Sequence, residues 1–160
     1  MDENSSVILA ARSVADTFDL GRRIGRAARP GDVVALIGQL GAGKTVLTKG
    51  VLAGLGGNPE DVASPTFVLM VRHDGGRLPL FHFDAYRLAG GAELVEIGAE
   101  EAFYGEGLSV IEWADRVADV LPDDRLEFRF RVTGPTERTI ALVPLGERAR
   151  VLGRVLAERP

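Results

Sequence analysis

The sequence predicts an α/β layered fold built on a central, partly parallel, mixed sheet. Three observations carry that prediction. Strand-like and helix-like segments alternate through the middle of the chain. Val33–Ile37 is a continuous apolar run between turn signals, which suits a strand buried on both faces. Arg125–Val132 and residues 139–143 alternate polar and apolar side chains, which suits strands with one face toward solvent. With 160 residues there is room for one domain over 1–160, in which residues 1–6 are expected to be flexible.

The elements follow in order. Val7–Ala11 reads as a short strand. Ser13 and Asp16 then form a capping box, with Ser13 as N-cap and Asp16 in the N3 position. The helix behind that cap turns Phe18, Leu20, Ile24 and Ala27 or Ala28 toward a core and Arg22, Arg23 and Arg26 outward. Pro30, Gly31 and Asp32 end it. After strand 33–37 and a glycine-rich turn, a second helix is expected over about 43–55, closed by Gly56, Gly57, Asn58 and Pro59. Residues 66–73 and 78–83 read as strands joined by the hairpin signal Asp74, Gly75, Gly76. A glutamate-rich helix is expected over 92–104, a short apolar strand over 108–112 and a helix over 113–120. A closing amphipathic helix over 146–158 carries Val151, Leu152, Val155 and Leu156.

Composition narrows the function classes. A hydrophobic fraction of 46% predicts a packed interior. The absence of cysteine excludes a disulfide framework, a zinc ribbon and a thiol nucleophile, and it suits a reducing compartment. The first residues are acidic and polar, unlike a secretion signal. No apolar stretch approaches the roughly 20 residues that span a bilayer, so a soluble, cytoplasmic protein without a membrane partner is expected. The net charge is −4 but uneven: residues 1–124 carry 11 basic and 19 acidic side chains, and residues 125–160 carry 8 and 4. The overall sign argues against a stand-alone nucleic-acid binder, which needs a net basic footprint.

The segment GQLGAGKT, comprising Gly38, Gln39, Leu40, Gly41, Ala42, Gly43, Lys44 and Thr45, fits the phosphate-loop pattern G-x-x-x-x-G-K-[ST] at every fixed position. Glycines let the backbone curl so that successive N–H groups point inward at phosphate oxygens. The helix that opens there adds its positive end. Lys44 is expected to reach the β- and γ-phosphates, and the Thr45 hydroxyl to coordinate Mg2+. The preceding buried strand and the following helix supply the required context. Lysine occurs only at Lys44 and Lys49, so the Asn/Thr-Lys-x-Asp element of a guanine-reading site has no lysine to use, which favours ATP.

Magnesium also needs an acid at the end of a neighbouring core strand. Asp84, after an apolar run ending at Phe83, and Glu112, after one ending at Ile111, both have that form. Ser64, Pro65, Thr66 and Phe67 follow the second helix, where switch-type proteins place a loop that senses the γ-phosphate; a plain proline turn reads equally well. His73 and His82 read as structural or surface residues, and Trp113 as a core residue or the cover of a partner-facing site.

Taken in order and at these separations, GQLGAGKT, SPTF, HFDAYRL and IEW resemble the TsaE family, small bacterial ATPases of tRNA threonylcarbamoyladenosine modification. The resemblance runs over about 13–122. It implies a P-loop fold in which Thr45 and Glu112 bind Mg2+, Asp84 lies near the γ-phosphate and supports hydrolysis, and Thr66 sits in a switch-like loop. It implies that Ser13, Thr17 and Asp115 lie around the nucleotide, with Arg138 as a further contact. The resemblance further implies a slow ATPase that joins the TsaB and TsaD subunits and acts on tRNA indirectly, the transfer chemistry belonging to TsaD. Two other readings compete. A small-molecule kinase would need an arginine-bearing lid, and 85–106 is acidic apart from Arg87. A nucleotide-gated adaptor would need no hydrolysis at all.

Overall fold

The computed structural model describes residues 6–39, 41, 43–63 and 69–158. Among these, seven strands form one sheet in the order β1-β7-β6-β2-β5-β4-β3. The strands are β1 Val7–Ala11, β2 Val33–Ile37, β3 Met70–His73, β4 Leu80–Asp84, β5 Leu108–Glu112, β6 Arg125–Val132 and β7 Arg138–Leu145. β6, β2, β5 and β4 run parallel to one another, and β3, β7 and β1 add antiparallel edges. The expected mixed α/β sheet is therefore observed.

The pleat divides the core in two. Val34, Leu36, Leu80, Val110, Leu126 and Phe128 pack under α1 (Val14–Ala27), α2 (Lys44–Leu55) and α5 (Glu147–Ala157). Val33, Ala35, Phe83 and Ile111 pack under the opposite layer, which contains α3 (Ala92–Glu96), α4 (Ala99–Phe103) and a 3-10 segment over Ala114–Val120. Continuous apolar runs such as Val33–Ile37 arise because both faces of a central parallel strand are covered.

The capping box at α1 forms in a displaced version. Ser13 Oγ accepts from the Asp16 amide at 3.1 Å, while the Asp16 carboxylate accepts from the amide of Arg12 at 2.9 Å. Phe18 lies half-buried, and the deepest face of α1 includes Thr17, Gly21 and Gly25 beside Leu20 and Ile24. That face meets α2 backbone to backbone. A Cβ at Gly21 would stand 2.1 Å from the Leu47 carbonyl oxygen, and one at Gly50 would stand 2.1 Å from that of Phe18. Arg23 is not simply solvated, since its guanidinium donates to the carbonyls of Val155 and Glu158 at the end of α5.

Three expected elements differ in detail. The single helix over 92–104 is two short helices, because Gly98 adopts a left-handed conformation (φ 87°) that no helix continues through. The expected helix over 113–120 starts at Ala114, is of 3-10 type and is kinked at Val117; Trp113 itself has φ 59°. The third strand begins at Met70 rather than residue 66; Leu69 has φ 65°, and residues 64–68 lie outside the described residues. The expected flexibility of residues 1–6 likewise falls mostly outside them. No described helix is long and apolar enough to cross a membrane.

Candidate functional site

The C-terminal ends of β2, β5 and β4 lie side by side, which is where open α/β sheets hold their ligands. Leu36 is the register partner of Glu112, and Glu112 that of Asp84, so both expected acids stand on one rung next to the strand that feeds the glycine-rich turn. Their alternation with Val110 and His82 turns both toward the α2 face of the sheet. Both are nearly sealed, Glu112 at 3% and Asp84 at 2% exposure.

The turn itself leaves β2 at Gly38 and enters α2 at Lys44. Gly41 and Gly43 have φ of 78° and 106°, left-handed values that glycine alone adopts without strain. Gly43 occupies the N-cap with no side-chain cap, so the first amides of α2 are left to the surroundings. Thr17 of α1 packs against this corner: its Cγ2 lies 3.5 Å from where a Cβ on Gly43 would be. Arg138, at the start of β7, donates through Nη2 to the Gly41 carbonyl at 3.1 Å and braces the turn from the other side.

Lys44 is buried and folded back along the turn. Nζ donates to the carbonyl oxygens of Gly38 at 2.5 Å and Gln39 at 3.0 Å, and it stands 3.8 Å from the centroid of the Trp113 ring. Burial pulls its pKa below the usual lysine value; Glu112, Asp115 and Asp84 oppose that shift. One residue on, the Thr45 hydroxyl donates to Glu112 Oε1 at 3.2 Å. The other oxygen, Oε2, is bonded by His82 Nε2 at 2.5 Å. Asp84 Oδ1 accepts from the Tyr86 amide at 2.8 Å, which fixes its carboxylate in a local turn. The Tyr86 and Trp113 rings meet at 5.0 Å, and the Arg116 guanidinium lies over both.

Both non-glycine residues with positive φ among the described ones flank this site. Leu69 accepts the Asp84 amide at 2.9 Å, and Trp113 directly follows Glu112. Strain of that kind concentrates at functional sites, where the surrounding packing enforces it.

A family model described as Threonylcarbamoyl adenosine biosynthesis protein TsaE matches residues 11–140. The chain belongs to the TsaE family. Among its relatives, the tRNA threonylcarbamoyladenosine biosynthesis protein TsaE of Treponema pallidum (strain Nichols) is 44% identical over 132 residues, 82% of this chain and 96% of the relative. The protein of the same description from Bacillus subtilis (strain 168) is 42% identical over 125 residues, covering 78% and 77% of the two chains. A crystal structure of YdiB from Bacillus subtilis superimposes with a TM-score of 0.82 at 31% identity, over 98% of this chain and 97% of that one.

In this TsaE-family chain, Gly38, Gln39, Gly41, Gly43, Lys44, Thr45, Asp84 and Glu112 lie together at the carboxyl ends of β2, β5 and β4. Asp115 acts on Lys44 through its charge. Thr17 and Arg138 touch the turn directly, whereas Ser13 serves as the α1 N-cap. Leu40, Ala42 and Thr66 lie outside the described residues. His82 was read from the sequence as structural or surface; it is fully buried against Glu112. The alternation of Leu80, His82 and Asp84 holds the signal, since a β-strand sends all three to one face. The cation–π contact of Trp113 with Lys44 has no such signal, because it depends on the left-handed backbone at Trp113.

Proposed function

We propose that this chain binds ATP with Mg2+ on the turn 38–45 and hydrolyses it slowly, as an accessory subunit of tRNA threonylcarbamoylation. The observation that carries the reading is the meeting of Thr45 with Glu112 at the carboxyl ends of parallel strands, beside a glycine-rich turn that opens a helix. The residues suit such a ligand. Lys44 already binds oxygens at the turn, so phosphate oxygens can exchange for the carbonyls of Gly38 and Gln39. Thr45 Oγ1 and a Glu112 oxygen are the hard oxygen donors that Mg2+ takes, alongside phosphate oxygens and water. No group of three or more His, Asp or Glu among the described residues could hold a metal alone, consistent with a metal that arrives with its nucleotide. Bound Mg2+ would neutralise charge on the β- and γ-phosphate oxygens.

In this reading, Lys44 holds the phosphates, Glu112 and Thr45 hold the metal, and Asp84 orients the attacking water or the reacting phosphate. Thr66 senses the γ-phosphate within residues 64–67. The work is done with TsaB and TsaD in the cytoplasm, and tRNA is reached through that assembly. The acidic side chains Glu93, Glu96, Glu100, Glu101 and Glu106 on one layer offer a surface that can orient a basic partner.

Size exclusion of this chain with TsaB and TsaD tests the reading, run with a non-hydrolysable ATP analogue, with ADP and without nucleotide. Co-elution that depends on the nucleotide is expected. A nucleotide can shift association only by favouring one state of the protein, so three identical profiles would overturn the switch role.

A further inference from the structure

His82 has no part in the nucleotide site as read so far, yet it is a fully buried polar side chain next to it. It lies on β4, two residues before Asp84, with no exposed surface. Its Nε2 reaches Glu112 Oε2 at 2.5 Å, across the strand boundary from β4 to β5. Glu112 thus spends one oxygen on Thr45 and the other on His82. A carboxylate only accepts hydrogen bonds, so the network assigns a ring proton to Nε2. No atom of the described residues bonds Nδ1, so Glu112 is the one side-chain partner of the ring among them.

We propose that His82 is a positioning residue: its Nε2–H holds the Glu112 carboxylate in the rotamer that presents the other oxygen to Thr45, and thereby sets the affinity of the site for Mg2+. The inference rests on the Mg-ATP reading above and adds to it a residue that touches neither nucleotide nor metal. Its physical basis is simple. A glutamate side chain has three rotatable bonds, and ordering them costs entropy unless a second contact does so beforehand. Bulk water does not compete for that contact, because His82 and Glu112 are both buried. Partners that orient a metal-binding side chain in this way typically change metal affinity by about 10–100-fold when removed.

The alternative is that His82 only solvates a buried carboxylate. That role would alter folding stability and leave the coupling between Mg2+ and nucleotide untouched, which gives the discriminating measurement. Binding of a non-hydrolysable ATP analogue is followed by isothermal titration, once in EDTA and once in excess Mg2+, for the full-length wild type, His82→Leu, His82→Asn and His82→Gln. Leucine fills the space without a donor, asparagine is too short to reach Glu112, and glutamine can return an N–H to the Nε2 position. For the leucine and asparagine variants, affinity in EDTA should stay within about two-fold while the gain from Mg2+ falls by about 10-fold or more; glutamine should recover it to within about three-fold. An undiminished Mg2+ gain in folded His82→Leu or His82→Asn overturns the proposal, as does a glutamine variant as defective as leucine. The asparagine variant carries the test if leucine does not fold. A wild type whose affinity gains nothing from Mg2+ would instead remove the Mg-ATP reading itself, and the positioning role with it.

Discussion

The Thr45 hydroxyl donates to Glu112 Oε1 at 3.2 Å although the two residues are 67 positions apart in sequence. Parallel pairing of β2 with β5 brings them together, since Glu112 faces Leu36 and the chain turns back over that position to begin α2. Two groups suited to one small, hard cation therefore meet through sheet register and the return of the chain into α2.

Glu112→Ala should abolish the Mg2+ dependence of nucleotide binding and nearly eliminate hydrolysis. Asp84→Ala should keep nucleotide affinity within a few-fold and slow hydrolysis by about 100-fold, the usual scale for losing a group that handles a proton or its water. Titrations with and without Mg2+, paired with phosphate release, separate the two. Equal loss of Mg2+ affinity in both variants would contradict this division of roles.

Lys44→Ala should weaken ATP binding by about 100-fold or more, because charge-assisted bonds to two phosphates are lost together. Lys49→Ala, in the next turn of the same helix, is the control and should bind as wild type does. Unchanged affinity in the Lys44 variant, read by isothermal titration, would remove the phosphate-loop assignment.

Gly21→Val should destabilise the fold by about 2–3 kcal/mol, since the new side chain meets the backbone oxygen of Leu47 and the helices must separate. Gly90→Ala has open space around it and should change stability by less than about 0.5 kcal/mol. Urea denaturation of both variants checks the contrast. Similar midpoints would mean that α1 and α2 are not in backbone contact.

His73 supplies a pH test. Burial lowers its pKa below 6.5, His82 adds to that, and Asp61 and Asp74 oppose it. Well above pH 6.5 both folded and unfolded states are neutral at this site, so it contributes no pH dependence there. As pH falls below 6.5 the unfolded chain takes up the proton first, and the folded protein loses stability until the lowered folded value is passed. Denaturation midpoints at pH 7.5 and pH 5 should therefore diverge less in His73→Gln than in the wild type. An equal or larger divergence in the variant would reverse the sign.

The sequence by itself determined the local features of this protein. The run Val33–Ile37 suited a covered strand, and the glycines around Lys44 suited a tight turn before a helix. Ser13 and Asp16 marked a helix start, and the ordered motifs indicated the family. Each of these depends on neighbours within a few residues, where backbone sterics and hydrogen-bond reach decide the outcome. The tertiary structure alone decided what lies across strands and between helices. It set Glu112 and Asp84 on one rung, closed His82 over Glu112, and brought Lys44 under the Trp113 ring. It also drew α1 and α2 into backbone contact through Gly21 and Gly50, glycines that a helix-propensity argument counts only as weak points. Such contacts depend on sheet register and helix approach, which a linear pattern does not encode, so both the partner of each acid and the reason for each helical glycine became visible only in the folded chain.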